Sequence, residues 1–242
     1  MRMANVLLWV LVLWLPHAFA NDVVRLAIGE WAPYTAEQDP KGKLLERVVT
    51  EAFKLQGVDV QYSYFPWRRS YLRVEDGSFD GTFPWTRTPE RDRQFILNKV
   101  PIVTEENVYF HLKSTAFDWQ TLDDLKKYKV GVTLGYKNEQ VYKDHAIVSD
   151  VAPSEELNFK KIAMGRIDVY ETSKIVGYTT IKTTLPPATA ALFTHHYKPA
   201  SVEDYFILFS RKTQRGKELA NTFDAGLKRL KASGAYDKIF AQ

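Results

Sequence analysis

The sequence predicts an α/β chain made of two units of similar size, and three observations predict it. Strand-like and helix-like patterns alternate through the first half of the chain. The alternation begins again in the second half. No Gly/Ser-rich linker, low-complexity tract or tight repeat separates the halves. A strand–helix–strand order calls for parallel sheets with right-handed crossovers, whose strand C-termini open on one crevice.

Residues 23–28 alternate and are rich in β-branched side chains, a strand that ends at Gly29. The loop Glu30-Trp31-Ala32-Pro33-Tyr34 follows. Leu44, Leu45, Val48, Val49, Ala52, Phe53 and Leu55 then recur at helical spacing, and Gly57 stops that helix. Residues 58–65 read as a second strand. Pro66 opens a short helix through Asp76, closed by Gly77. Residues 80–85 read as a third strand running into the loop Thr86-Arg87-Thr88-Pro89-Glu90-Arg91.

In the second half, residues 108–112 read as extended, and Thr121-Leu122-Asp123-Asp124 is a capping box that opens a helix. Residues 128–132 read as a strand, and the turn Thr133-Leu134-Gly135-Tyr136-Lys137 leads into a helix from about Asn138. Ser154, with Glu155 and Glu156, caps a helix ending at Gly165, and residues 167–170 form a short strand. Pro186-Pro187 sits in a loop. Strands are expected at 191–193 and 205–209. A closing helix over 216–233 places Leu219, Phe223, Leu227 and Leu230 on one face.

The N-terminus carries an address. Arg2, an apolar run over residues 6–15 and small residues at Ala18 and Ala20 form the three-part layout of a secretory signal peptide of residues 1–20. The run is about half of the ~20 residues that a spanning helix needs. The mature chain is therefore expected to begin at Asn21 and to be soluble. Cysteine is absent, which removes disulfides, thiolate metal sites, a cysteine nucleophile and a lipid-bearing cysteine. A freely diffusing, unlipidated protein of a bacterial periplasm fits this better than a disulfide-rich eukaryotic secreted domain.

The net charge of +4 is mild, and Lys and Arg are interspersed with acids, so the footprint of nucleic-acid binding is missing. The histidines His17, His111, His145, His195 and His196 show no metal-ligand spacing. With no nucleophile elbow and no phosphate loop, neither a cofactor nor a metal is expected. Aromatics make up 14% of the chain, and those in loops beside Pro and Gly suit the wall of a ligand pocket.

At this point the residues resemble family 3 of the bacterial extracellular solute-binding proteins, the polar-amino-acid type that serves ABC transporters. The resemblance rests on Trp31-Ala32-Pro33-Tyr34, Glu75-Asp76-Gly77-Ser78-Phe79-Asp80-Gly81, Thr86-Arg87-Thr88-Pro89-Glu90-Arg91, Val130-Gly131-Val132-Thr133-Leu134-Gly135, Gly165-Arg166-Ile167-Asp168 and Gly234-Ala235-Tyr236-Asp237-Lys238-Ile239, in that order. It implies a two-lobed periplasmic binding protein fold (type II), each lobe a mainly parallel sheet flanked by helices, joined by two hinge strands. The first lobe is expected over 21–108 and 205–242 and the second over 109–204. The hinge strands would run through Val108-Tyr109-Phe110 and Tyr205-Phe206-Ile207.

The family takes its ligand's carboxylate with the Arg of the matching loop, which implies that role for Arg91. A guanidinium offers two parallel N–H donors to a carboxylate in a low-dielectric cleft. Thr86 would add a hydroxyl and an amide. Trp85, Trp31, Tyr34 and Trp67 are the candidate aromatic walls. From the second lobe, Thr133 and Tyr136 lie on a turn before a helix, where free N–H groups favour an anion. The acid with which amino-acid binders hold an ammonium falls at Thr172 or Ser173 by count from Asp168, with Glu171 slightly early. Either Glu171 substitutes, or the ligand has no ammonium. Arg68 and Arg69 are expected on the surface, or one of them on a second acidic group.

The implied function is binding of a small polar, carboxylate-bearing solute between closing lobes, by a monomer, for delivery to the permease of an ABC importer, without catalysis. Two other readings stay open. One is a ligand-reporting partner of a membrane sensor. The other is a dehydratase-type cleft enzyme using Glu30 or Glu171 as general acid.

Overall fold

In the computed structural model, which describes residues 22–39 and 42–241, the β-branched stretch Asp22–Ile28 forms strand β1. The expected signal peptide lies outside the described residues. Helix α1 (Leu44–Lys54) buries Leu45, Val48, Val49, Ala52 and Phe53 of the set that the helical spacing singles out, while Leu44 is half-buried and Leu55 lies exposed past its end. Strand β2 (Val58–Tyr64), helix α2 (Trp67–Glu75) and strand β3 (Gly81–Thr86) follow, with β3 buried along its whole length. Then come helix α3 (Pro89–Gln94), the short strand β4 (Phe95–Leu97) and the long strand β5 (Val103–Leu112).

The second half opens on a 3-10 helix, Leu122–Lys127, under the expected Thr121/Asp124 capping box. Strand β6 (Val130–Thr133), helix α4 (Lys137–Asp144), strand β7 (Ser149–Ala152), helix α5 (Glu155–Ala163) and strand β8 (Val169–Ser173) alternate behind it. Helix α6 (Lys174–Thr184), helix α7 (Pro187–Ala190) and strand β9 (Phe193–His195) precede the long strand β10 (Ser201–Ser210). Helices α8 (Gly216–Ala232) and α9 (Ala235–Phe240) close the described chain.

Several elements depart from the sequence expectation. The expected Thr86–Arg91 loop is the end of β3 followed by the first turn of α3. Thr88 caps that turn and Pro89 fills its first position, so local capping chemistry starts the helix. Helix α6 goes unread because it buries only Val176, Gly177 and Ile181, which leaves no apolar stripe in a Thr-rich segment. The strand expected at 167–170 lies at 169–173 instead.

The ten strands among the described residues form one continuous sheet in the order β2-β1-β3-β10-β5-β8-β6-β7, with β4 and β9 on side branches. Pairing is parallel within each end, β2-β1-β3 and β8-β6-β7. It is antiparallel in the middle, where β10 and β5 pass from one lobe to the other. The two passing strands pair from Asn107–Ser201 to Val103–Tyr205. Beyond Asn107, β5 turns to β8, and beyond Tyr205, β10 turns to β3. The crossing on β5 therefore precedes the expected 108–110, because an unbroken strand hides where its partner changes.

Each lobe has its own core. In the first, α1 and α8 cover β1, β3 and β10 with Leu45, Val49, Phe53, Ile207, Phe209, Phe223 and Leu227. A Cβ on Gly226 would lie 1.9 Å from the Ala52 carbonyl oxygen, so glycine is what lets the two helices approach. A smaller first-lobe cluster joins Ala27, Tyr71, Val74, Trp85, Phe95 and Leu208. The second lobe's core is likewise in two parts. One cluster joins Tyr109, Phe117, Trp119, Leu125, Val132 and Tyr142, and the other joins Phe110, Phe159, Ile167, Tyr170 and Phe193. No helix among the described residues is long and apolar enough to cross a membrane.

Candidate functional site

A cavity of about 310 Å³ lies where the C-terminal ends of the parallel strands of both lobes face each other. Its walls carry Trp31, Trp67, Trp85, Thr86 and Arg91 from the first lobe. The second lobe supplies Tyr109, Trp119, Leu122, Tyr136, Asn138, Val141, Tyr142, Glu171 and Thr172, and the passing strands supply Asn107 and Tyr205. Asn107 and Tyr205 are the residues at which β5 and β10 change partner, so the cavity sits directly on the crossing.

Local structure aims Arg91. Thr88 accepts the Arg91 backbone N–H at 3.1 Å, which fixes the first turn of α3 and brings the side chain back over the end of β3. There Nη1 donates to the Thr86 carbonyl and hydroxyl, both at 2.7 Å, and the guanidinium carbon sits 4.8 Å from the Trp85 ring centroid. Nη2 donates across the cleft to the Gly135 carbonyl, 3.2 Å away in the turn before α4. Arg91 is only 7% exposed, and that burial lowers its pKa below the ordinary guanidinium value.

Trp67 meets Trp85 edge-on at 5.6 Å and donates its indole N–H to the Glu30 carbonyl at 3.2 Å. The indole lies so close to the end of β1 that a Cβ on Gly29 would be 2.7 Å from it. Trp31 packs between Tyr34 and Tyr205, each 5.0 Å away.

Glu155 gathers the two lobes. It is the first residue of α5, and its Oε1 accepts from the Tyr136 hydroxyl at 2.9 Å, the Thr172 hydroxyl at 2.8 Å and, across the cleft, the Trp31 indole at 3.2 Å. Burial is the largest influence on this carboxyl and raises its pKa. Glu171, in the middle of β8, accepts from the Tyr142 hydroxyl at 2.7 Å and from Asn138 at 3.3 Å, and burial raises it likewise. Lys137 and Glu203, also on the wall, neutralise each other at 2.7 Å.

Of the residues singled out in the sequence, Arg91, Thr86, Trp85, Trp31, Trp67, Tyr136 and Glu171 line this cavity. Three predicted residues do not reach the cavity. Tyr34 is buried behind Trp31 and donates to Glu105. Thr133 points into the second core, bonded to the Tyr170 hydroxyl and Asn158. Ser173 caps α6 and donates to Glu105 at 2.7 Å. Arg68 and Arg69 do not line the cavity.

Sequence reasoning passed over Trp119, Tyr142 and Asn107, took Tyr109 and Tyr205 only as hinge residues, and read Asn138 and Glu155 only as helix starts. A signal existed for part of this set. Asn138, Val141 and Tyr142 stand at i, i+3 and i+4, one face of the expected helix. Among the described residues no group of His, Asp or Glu is placed to hold a metal ion.

The model of the bacterial extracellular solute-binding proteins, family 3, matches residues 25–242. No curated protein matches the sequence. Among solved structures, the sensor domain of a histidine kinase with similarity to periplasmic binding proteins superposes with TM-score 0.79 at 17% identity, over 91% of this chain and 96% of the other. An ancestral arginine-binding protein bound to arginine gives 0.75 at 24% identity, over 90% and 96%. An amino acid ABC transporter substrate-binding protein from Streptococcus pneumoniae, bound to L-arginine, gives 0.71 at 20% identity, over 90% and 92%. Likeness at these identities speaks for the fold.

Proposed function

The chain belongs to family 3 of the bacterial extracellular solute-binding proteins, and from that premise we propose that its cleft takes a zwitterion of the amino-acid class, with the carboxylate on Arg91 and the ammonium on Glu171. One observation carries this reading. Two opposite charges face the same cavity, and each is held only by neutral groups. Arg91 is bonded to carbonyl and hydroxyl oxygens and Glu171 to a hydroxyl and an amide. Neither belongs to an ion pair among the described residues. A charge buried without a counter-charge is costly, so a site arranged this way gains most from a ligand that brings both signs. The remaining wall charges, Lys137 and Glu203, cancel each other and ask nothing of the ligand.

Closure adds contacts that an open form lacks. The Arg91–Gly135 and Trp31–Glu155 hydrogen bonds both cross between lobes, so ligand held on Arg91 and Glu171 biases the lobes toward the closed arrangement. Exclusion of water then strengthens each polar contact. Delivery to the permease of an ABC importer is the role that follows, by likeness to the transporter protein. The likeness to a kinase sensor domain supports a second role, in which a membrane sensor reads the same closed form.

Calorimetry on the chain from residue 21 onward tests the site. A zwitterionic amino acid is expected to bind at least tenfold tighter than both its decarboxylated amine and its deaminated acid. Equal affinity for either truncated compound would remove one of the two charge assignments.

A further inference from the structure

The proposal rests on the reading of the cleft as a zwitterion site and names what that zwitterion carries. We infer that the ligand's side chain is a large, uncharged, ring-bearing group that enters the second lobe between Trp119, Leu122 and Val141. Those three, with Tyr109, Tyr142 and Ala200, line the cavity and also pack on one another as part of the second lobe's own core. The cavity therefore runs from the charged end at Arg91 into a wall of ring and aliphatic carbon.

A polar tail finds few partners there. The Tyr142 hydroxyl is committed to Glu171 at 2.7 Å. Asn138 is turned to the same carboxylate. A guanidinium or ammonium tail would shed its water against a wall that is mostly carbon and whose unpartnered acceptor, the Asn138 Oδ1, is a neutral amide oxygen. Cation–π stacking does not rescue it, because Trp119 already holds the Lys198 ammonium 4.2 Å from its ring centroid. The one cavity carboxylate free of a cationic partner, Glu171, is taken by the ligand's ammonium under the reading on which this rests. A flat uncharged ring has no charge to desolvate and meets aromatic edges and faces at low conformational cost, and the Trp119 indole N–H and Asn138 Oδ1, both buried without a partner, are open to a single polar atom on it. The chemistry thus separates this cleft from the arginine-bound relatives that share its fold.

The test is calorimetry with L-phenylalanine, L-leucine, L-alanine and L-arginine on the chain from residue 21 onward, repeated on Leu122→Asn and Val141→Asn. Both residues are only partly buried, and circular dichroism with thermal melting checks that each variant folds. L-phenylalanine is expected to bind at least tenfold tighter than L-alanine and L-arginine. Each variant is expected to cut the phenylalanine-to-alanine preference by at least tenfold. If L-arginine or L-alanine matches L-phenylalanine, the zwitterion site stands and the ring-bearing tail is wrong. A preference unchanged in folded variants would also overturn it. If none of the four binds, the underlying reading falls with it.

Discussion

The two lobes meet the cavity with opposite chemistry. The first presents a cation, Arg91, raised on the rigid end of β3, where Gly81 to Thr86 are all buried and a capped turn follows at once. The second presents a carboxylate, Glu171, held by the Tyr142 hydroxyl, while Glu155, off the cavity lining, is held by the Tyr136 and Thr172 hydroxyls. Their packing differs in parallel. The first lobe has one large cluster bounded by α1 and α8 and a small one around Tyr71, Trp85 and Phe95, whereas the second divides its core into two of similar size. Among the described residues, the large apolar side chains more than half exposed, Val148, Met164, Ile175, Leu192, Tyr197 and Val202, all fall between the end of β5 and the start of β10. The difference teaches that charge placement and packing are divided between the lobes. One lobe offers a fixed anchor against the smaller of its two core clusters, the one that holds Trp85. The other offers a wall of rings and acids that doubles as core and is completed on closure.

The sharpest way to break that contrast is to remove the anchor. Arg91→Ala is expected to weaken binding of a zwitterionic ligand by about 2–5 kcal/mol, the cost of leaving a buried charge unpaired, or roughly thirty-fold or more in Kd. It should leave the affinity for the decarboxylated amine nearly unchanged. Arg91→Lys keeps the charge but not the planar fork that Thr86 and Gly135 hold, so it should recover only part of the loss. Titration calorimetry on the parent and both variants decides it. A parent-like Kd in Arg91→Ala would mean that the carboxylate sits elsewhere.

The opposite face yields a smaller effect. Glu171→Gln retains an oxygen for Tyr142 and Asn138 and removes only the negative charge, so the expected loss is about 1.5–3 kcal/mol, that of a charge-assisted hydrogen bond. The deaminated acid should bind the variant at least as well as it binds the parent. If the zwitterion and the acid lose affinity equally, Glu171 acts on the fold of the wall rather than on an ammonium.

The first lobe was the more legible half, for a physical reason. Trp85, Thr86 and Arg91 lie within seven residues, on a strand end and a capped turn whose geometry is local. Thr133 and Ser173 were misplaced because short strands leave parity open. All four residues of β6 are buried, so pattern alone cannot say which faces the cleft. Ser173 stands at a strand-to-helix junction, where capping α6 takes its hydroxyl. Trp119 and Tyr109 reach the cavity only through the tertiary path of β5 and the Leu122–Lys127 helix, and no local spacing announces that. Tyr205 was seen as a crossing residue, but its place on the wall depends on β10 pairing with β5 and β3 at once. Glu155 read simply as helix capping, since its Trp31 partner is 124 residues away.

Glu155 supplies the finest test of how the lobes are joined. Its carboxyl is raised by burial above its ordinary value of 4.5. The folded chain therefore holds this proton more tightly than the unfolded chain does. The stability that this provides is complete below pH 4.5 and is lost as pH climbs through the raised folded value. Glu155→Gln removes the titration and keeps an acceptor for Trp31, Tyr136 and Thr172. Parent and variant should melt at similar temperatures in acid. They should diverge as pH rises above the ordinary value, with the variant the more stable, each kcal/mol appearing as about 2–4 °C in Tm. Glu105 and Glu171, also raised by burial, titrate in both proteins and cancel from the difference. Melting curves at closely spaced pH values measure it. A difference in Tm that stays flat across the window would show that the carboxyl joining the lobes is ionised throughout, held so by its three donors rather than kept protonated by burial.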